Sequence, residues 1–316
     1  MAVKQKNLSV RIGKLALSSP LIAASGTFGY GQELEGLIDF KDFGAIITKT
    51  ITLKARKGNP PPRLIETPWG LLNSIGLENP GIDVFLRDKW PYLARLKTPV
   101  IISIGGETKD EFVRLTKRLD RLEDLKAIEV NISCPNIKKA KIKKRKTQGL
   151  TMFSQGIDET FAVVKVVRKL TSKTLIVKLT PNVTDISSIA IAASSAGADA
   201  LCLVNTYFGM AVDIQNRRPQ LANITGGLSG PAIKPLSLYA VYKTYKAVRK
   251  PIIGGGGIMN SADAIEFLTC GATALSLGTV NFINTKAPKE ILTGIKGYLK
   301  KNKIKDIYKL RGSLRT

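Results

Sequence analysis

Eight short apolar, β-rich runs recur along this chain, and their spacing limits the available folds more than any single motif does. They lie at 21–25, 45–50, 100–105, 127–133, 175–180, 200–205, 251–256 and 274–278. Most are separated by stretches with apolar residues at helical spacing. Phe112, Leu115 and Leu119 mark one face of 110–122, and Phe161, Val164 and Val167 mark one face of 158–170. The stretches 187–196 and 261–269 follow the same pattern, with Thr184 or Asp185 and Asn260 or Ser261 as N-caps. Near-continuous apolar strands alternating with helices imply a parallel sheet covered on both faces. Eight such units in 316 residues predict an α/β fold, a closed (β/α)8 TIM barrel forming a single domain over 1–316. A doubly wound open sheet is the competitor, but no convincing GxGxxG follows the first run.

The stretch IEVNISCPN at 128–136 carries the first sign of chemistry. Ile128, Val130 and Ile132 alternate with Glu129, Asn131 and Ser133, which is strand periodicity, and Pro135 ends the strand. Asn131 therefore lies near the strand's carboxyl end, and Cys134 lies on the loop that follows. A thiol so placed is either a positioned base or nucleophile or a small buried apolar residue.

Composition narrows the chemistry. There are no histidines, which removes the commonest general base, the Ser-His and Cys-His pairs and the HExxH metal motif. Acid–base work near neutral pH must then fall to Cys, Lys, Tyr or a carboxylate. The three cysteines, Cys134, Cys202 and Cys270, are far apart and form no CxxC or metal spacing. No metal site is expected, and a reducing cytoplasm fits. Cys202 and Cys270 sit in apolar contexts and read as core. The N-terminus lacks the apolar core of a signal peptide, and no run of about 18 apolar residues predicts a membrane span.

Lys and Arg number 49 against 24 Asp and Glu, a formal charge of +25. The basic residues are mostly dispersed, as at Lys165, Arg168, Lys169 and Lys173, with no interleaved aromatic residues for stacking. An anionic substrate, an anionic cofactor or an acidic protein partner explains the charge more economically than nucleic acid. One local concentration stands out: KKAKIKKRK at 138–146 holds seven basic residues in nine, directly after Cys134. A run of this kind usually forms a solvated face. The stretch 51–81, rich in Pro and Gly and without a clear helix, reads as a long functional loop.

A (β/α)8 barrel builds its active site at the carboxyl ends of its strands. Those ends here carry Ser25, Lys49 and Thr50, Asn131 and Cys134, Lys178, Asn205 and Thr206, Gly254 to Gly257, and Gly278 with Thr279. Two lysines and two asparagines converging on one mouth would hold an anion and the polar edges of a planar heterocycle. The glycines after strands seven and eight suit a phosphate, because backbone N–H groups can approach it closely and a helix N-terminus adds a favourable dipole. That phosphate would belong to a substrate or to a flavin mononucleotide.

Nine stretches in order along the chain carry a family resemblance. They are ASGTFGYG (24–31), GNPPPR (58–63), LNSIGLENPG (72–81), EVNISCPN (129–136), VKLTPNVTDI (177–186), VNTYFGM (204–210), LANITGGLSGPAIKP (221–235), IIGGGGI (252–258) and LGTVNF (277–282). With them the chain resembles dihydroorotate dehydrogenase, specifically its class 1B catalytic subunit. The resemblance implies oxidation of dihydroorotate to orotate on FMN in pyrimidine biosynthesis, with Cys134 as the base and Lys178 against the electron-accepting edge of the flavin. It implies that Asn73, Ser74, Ile75, Gly76, Leu77, Asn131, Asn205 and Thr206 hold the substrate and that Lys49 contacts substrate and flavin. It places Ser25, Thr50, Ser103, Asn131, Val204, Gly230, Gly256, Gly257, Gly278 and Thr279 around FMN. Ser103 departs from the family's usual asparagine, and the basic 138–146 segment from its usual glycine-rich loop.

The resemblance also implies a homodimeric core joined by a second subunit that carries FAD and a [2Fe–2S] cluster and passes electrons to NAD⁺. This chain has neither the cysteine cluster nor the dinucleotide fingerprint for that work. A fumarate-reducing class 1A enzyme and a non-redox phosphate-binding barrel are the competing enzyme readings.

Overall fold

A computed structural model of the chain describes residues 8–133 and 155–315. All eight expected runs form strands: β1 (Leu21–Ala23), β2 (Ala45–Ile47), β3 (Val100–Ile104), β4 (Ala127–Asn131), β5 (Thr174–Lys178), β6 (Ala200–Leu203), β7 (Ile252–Gly255) and β8 (Ala274–Leu277). Each strand pairs in parallel with the next, and β8 pairs with β1, so the barrel closes. Ser103, Glu129 and Ile176 lie side by side across β3, β4 and β5. Asn131, Lys178 and Cys202 do so across β4, β5 and β6. Most of the strands are shorter than the apolar runs because the polar and glycine residues at their carboxyl ends leave the ladder and form the loops of the mouth.

The alternation at 128–133 has a different meaning from that in a half-solvated sheet. All five residues of β4 are buried. The polar set, Glu129 and Asn131, bonds to side chains of neighbouring strands inside the barrel, while Ile128 and Val130 belong to the hydrophobic core.

Six helices cover much of the outside: α1 (Lys109–Asp120), α2 (Ile157–Arg168), α3 (Ile186–Ser195), α4 (Lys234–Ala247), α5 (Ser261–Thr269) and α6 (Ala287–Lys301). On α1 the buried face is Phe112, Leu115, Thr116 and Leu119, as the spacing requires. On α2 the phase differs from the expected one. Thr160, Val163, Val164 and Val167 are buried, and Phe161 is turned out with 40% of its surface exposed. The β-branched Val163 and Thr160 complete the i, i+3, i+4, i+7 stripe, and a ring at 161 lies one position off it. The helix caps are Asp185 for α3 and Asn260 for α5. Asn260 forms a capping box with Asp263, whose other oxygen accepts from Lys234 at the start of α4.

Asp185 accepts from the N–H groups of Ser187 and Ser188 and from the Ser188 hydroxyl. These bonds, that of the Ser188 hydroxyl first, hold its carboxyl below the usual range. The cap is therefore complete above the ordinary carboxylate range and is lost as pH falls through the lowered value. Asp185→Ala is expected to cost about 1 kcal/mol, read as a lower denaturant midpoint at neutral pH, with the difference shrinking in acid.

Two antiparallel additions sit at the ends of the barrel. A hairpin of Val10–Ile12 and Leu15–Leu17 buries Val10, Ile12, Leu15 and Leu17. Its turn meets the amino ends of β5 and β6, with the Lys14 N–H on the Thr174 hydroxyl at 3.1 Å. The stretch 51–81 is not a plain loop. It contains a second hairpin, Leu64–Thr67 with Gly70–Asn73, which joins Gly226–Ser229 and Tyr207–Gly209 in a four-stranded sheet. Gly81–Val84 then opens a helical segment that runs to Leu93. No helix among the described residues is long and apolar enough to cross a membrane.

Candidate active site

The side chains at the strand ends meet as expected from a barrel, and several are tied to one another. Lys178, the last residue of β5, is 7% exposed, and its Nζ donates to Ser25 Oγ, just beyond β1, at 3.0 Å. Among the described residues Lys178 forms no ion pair, and neither does Lys49. The Lys49 N–H is fixed on Gly29 O at 2.9 Å, which sets the loop after β2 against that after β1. A nearly buried amine with one hydroxyl partner leaves capacity for an electron-rich group at the mouth.

A hydrogen-bonded chain crosses the wall beside that amine. Asn205 Nδ2, beyond β6, donates to the carbonyl and the hydroxyl of Ser133, each at 3.0 Å. Ser133 donates from both its N–H and its hydroxyl to Asn131 Oδ1. Asn131 Nδ2 donates to Thr50 Oγ1 at 2.9 Å, Thr50 and Ser103 share a 2.9 Å hydroxyl contact, and Ser103 Oγ donates to Glu129 Oε1 at 2.8 Å. Ser103, whose reach toward a ligand is shorter than asparagine's, thus has its hydroxyl engaged within the wall. Ser133 and Glu129 were not singled out from the sequence. Their signal was the polar half of the 128–133 alternation, which a closed barrel must turn inward.

Cys134 and the 138–146 segment lie outside the described residues. The residue before Cys134 is fixed, because Ser133 is held through its N–H, hydroxyl and carbonyl at the mouth. The other two thiols are elsewhere. Cys202 is buried inside the barrel, and burial first, then the neighbouring Glu129, pushes its thiol well up. Cys270 is only partly buried, since it caps the carboxyl end of α5 and does not sit on the helix's inner face.

The hairpin sheet carries the expected substrate stretch to the mouth. Asn73 Nδ2 donates to Gly227 O at 3.1 Å, and Ser74 is buried, held by Asn59 Nδ2 and by its own N–H on Arg63 O. The Ile75 carbonyl accepts from Asn59 N. Gly76 and Leu77 both take positive φ, 75° and 55°, and Leu77 reaches over Gly105 at the end of β3. Thr206 packs on Gly227, donates its N–H to Asn205 Oδ1 at 2.9 Å, and accepts from Asn182 Nδ2 on its carbonyl at 2.9 Å. Asn182 was a further residue missed in the sequence.

The glycine loops lie where a phosphate would need them. Gly256 and Gly257 adopt φ of 108° and 95°, which disfavours any side chain. A Cβ at Gly257 would also strike the backbone of Lys234, at 2.9 Å, and one at Gly256 would press on Val204 Cγ2, at 3.1 Å. Neither the Gly257 nor the Thr279 N–H has an acceptor among the described residues. The Thr279 hydroxyl donates to Ser229 Oγ at 2.9 Å, next to Gly230, while Gly278 has only Ala24 and Thr27 within 4 Å of a would-be Cβ. Open N–H donors at the ends of β7 and β8, in a mouth that also holds the Lys178 amine, fit a phosphate-bearing cofactor.

Comparisons with known proteins identify the family. A chain from Caldicellulosiruptor bescii named dihydroorotate dehydrogenase B (NAD(+)), catalytic subunit, is 52% identical over 308 residues, covering 98% of this chain and 99% of its own. One of the same name from Geotalea daltonii is 50% identical over 309 residues, covering 98% of each. The crystal structure of DHODH in complex with ferulenol from Eimeria tenella superposes with a TM-score of 0.79 at 24% identity, over 99% of this chain and 90% of that one, which speaks for the fold. The family profile described as dihydroorotate dehydrogenase spans residues 7–299, and the chain belongs to that family of oxidoreductases.

Proposed function

We propose that this chain is the catalytic subunit of a class 1B dihydroorotate dehydrogenase, oxidising dihydroorotate to orotate on FMN for pyrimidine biosynthesis. The observation that carries this reading is Lys178, an almost buried amine at the mouth with Ser25 as its hydrogen-bond partner and no ion-pair partner among the described residues. FMN, when bound, supplies the acceptor for the hydride that leaves carbon 6 of the substrate. Cys134 takes the proton from carbon 5 as that carbon forms the new double bond. Lys178 lies against the cofactor's electron-accepting edge, and Lys49 faces both substrate and cofactor. Asn73 to Leu77, Asn131, Asn205 and Thr206 orient the ring. The N–H groups near Gly256, Gly257, Gly278 and Thr279 hold the cofactor phosphate, with Ser25, Thr50, Ser103, Val204 and Gly230 completing its surroundings.

The chain functions in the cytoplasm as one domain and as a homodimeric core. A partner subunit with FAD and a [2Fe–2S] cluster relays the electrons to NAD⁺, as the names of the relatives favour over a fumarate-reducing enzyme. The purified chain is expected to be yellow, or to become so with FMN, and its absorbance to bleach when dihydroorotate is added without oxygen. A protein that stays colourless after incubation with FMN sinks the reading and leaves a non-redox barrel. Co-purification of an iron–sulfur flavoprotein decides the electron route.

A further inference from the structure

The relay that begins at Asn205 ends in a group that the reaction itself does not use. Glu129 has no exposed surface, its Oε1 accepts from Ser103, and its Oε2 receives no N–H or O–H, with only the weakly donating Cys202 thiol against the carboxyl. A buried, half-satisfied carboxyl is costly, so its place below a functional mouth calls for an explanation. Ser103 and Cys202 border it, and Lys178 stands beside Cys202 in the strand register.

The direction of the bonds is fixed from both ends. Ser133 N–H can only donate, so Asn131 must present Oδ1 to it and Nδ2 to Thr50. At the other end the Ser103 hydroxyl donates its proton to Glu129 Oε1. Ser103 Oγ must then accept from Thr50, whose own oxygen takes the Asn131 amide. Both hydroxyl protons are consumed inside the wall, and Thr50 has none left to offer the cavity.

We propose that Glu129 is a positioning residue, the terminal acceptor that commits the Thr50 and Ser103 protons to the barrel wall and so sets the hydrogen-bond polarity Thr50 shows the flavin. This rests on the flavin reading above. Gln at 129 can donate from Nε2 to Ser103 Oγ, which turns the Ser103 proton toward Thr50 and releases the Thr50 proton toward the cofactor. A donor gained at the ring favours its electron-rich form.

The test is the flavin midpoint potential of the FMN-loaded chain, alongside the FMN dissociation constant and the melting of the cofactor-free chain. E129Q is expected to raise the reduced-to-oxidised ratio at a fixed potential about tenfold, or ~30 mV for a two-electron couple. Ser103→Ala, which keeps Glu129 but deprives Thr50 of its acceptor, is expected to shift the ratio the same way, and Ser103→Thr to restore it. An unshifted potential in S103A overturns the relay even if E129Q moves, because the effect of residue 129 would then not pass through the Ser103 hydroxyl. If E129Q does not fold, S103A against S103T still decides. Failure of the wild-type chain to bind FMN is a different result, and removes the underlying flavin reading.

Discussion

Cys134→Ala is expected to bind FMN as the native chain does and to bleach with dihydroorotate some 10² to 10⁴ times more slowly at neutral pH, the usual contribution of a positioned general base. The chain has no histidine to take over. Burial raises both other thiols, and Cys202 has Glu129 beside it as well, so neither offers a ready thiolate. Ser133, the residue before Cys134, is held at three points at the mouth. In the native chain the bleaching rate should climb with pH as the thiol ionises, since the thiolate is the base. Cys134→Ser should keep a fraction of the rate, with the climb moved to higher pH because a hydroxyl ionises less readily. Anaerobic rapid mixing over a pH series reads all three. Bleaching at the native rate in the alanine variant would remove Cys134 from its role.

The barrel was legible because each strand is buried on both faces and had to be written as a continuous apolar run. The lysines and asparagines were legible as site residues because they interrupt those runs at one end only. The sheet formed by 64–67 and 70–73 was not, because its remaining ladder partner, Gly226–Ser229, lies more than 150 residues away and the outer strand alternates exposed and half-buried positions. Its Pro- and Gly-rich surroundings resemble a loop when taken alone. Phe161 misled in the opposite way: an aromatic residue near the apolar stripe was counted into it, whereas packing favoured the smaller Thr160 and Val163. Glu129 was read as one of the polar positions of an alternating strand, and only closure of the barrel turned that position into a buried carboxyl in contact with Ser103.

Lys178→Ala is expected to act on the cofactor side of the same reaction. The native amine is 7% exposed and reaches Ser25 Oγ at 3.0 Å, so its position is set by packing and by a bond from the opposite side of the mouth. A fixed donor aimed where charge develops in a site shielded from water is worth about 10² to 10³ in rate. Alanine removes that donor, leaves Ser25 without it, and opens space beneath the cofactor's edge. Slower bleaching and weaker FMN binding should therefore appear together, by rapid mixing and by fluorescence titration of FMN. Arginine should not restore the rate, because its planar fork is wider than the single amine that Ser25 receives. The two variants separate by pH: Lys178→Ala keeps the climb of rate with pH that belongs to the Cys134 thiol, whereas Cys134→Ala loses it. Native values of both rate and FMN affinity in Lys178→Ala would contradict its assignment to the flavin edge.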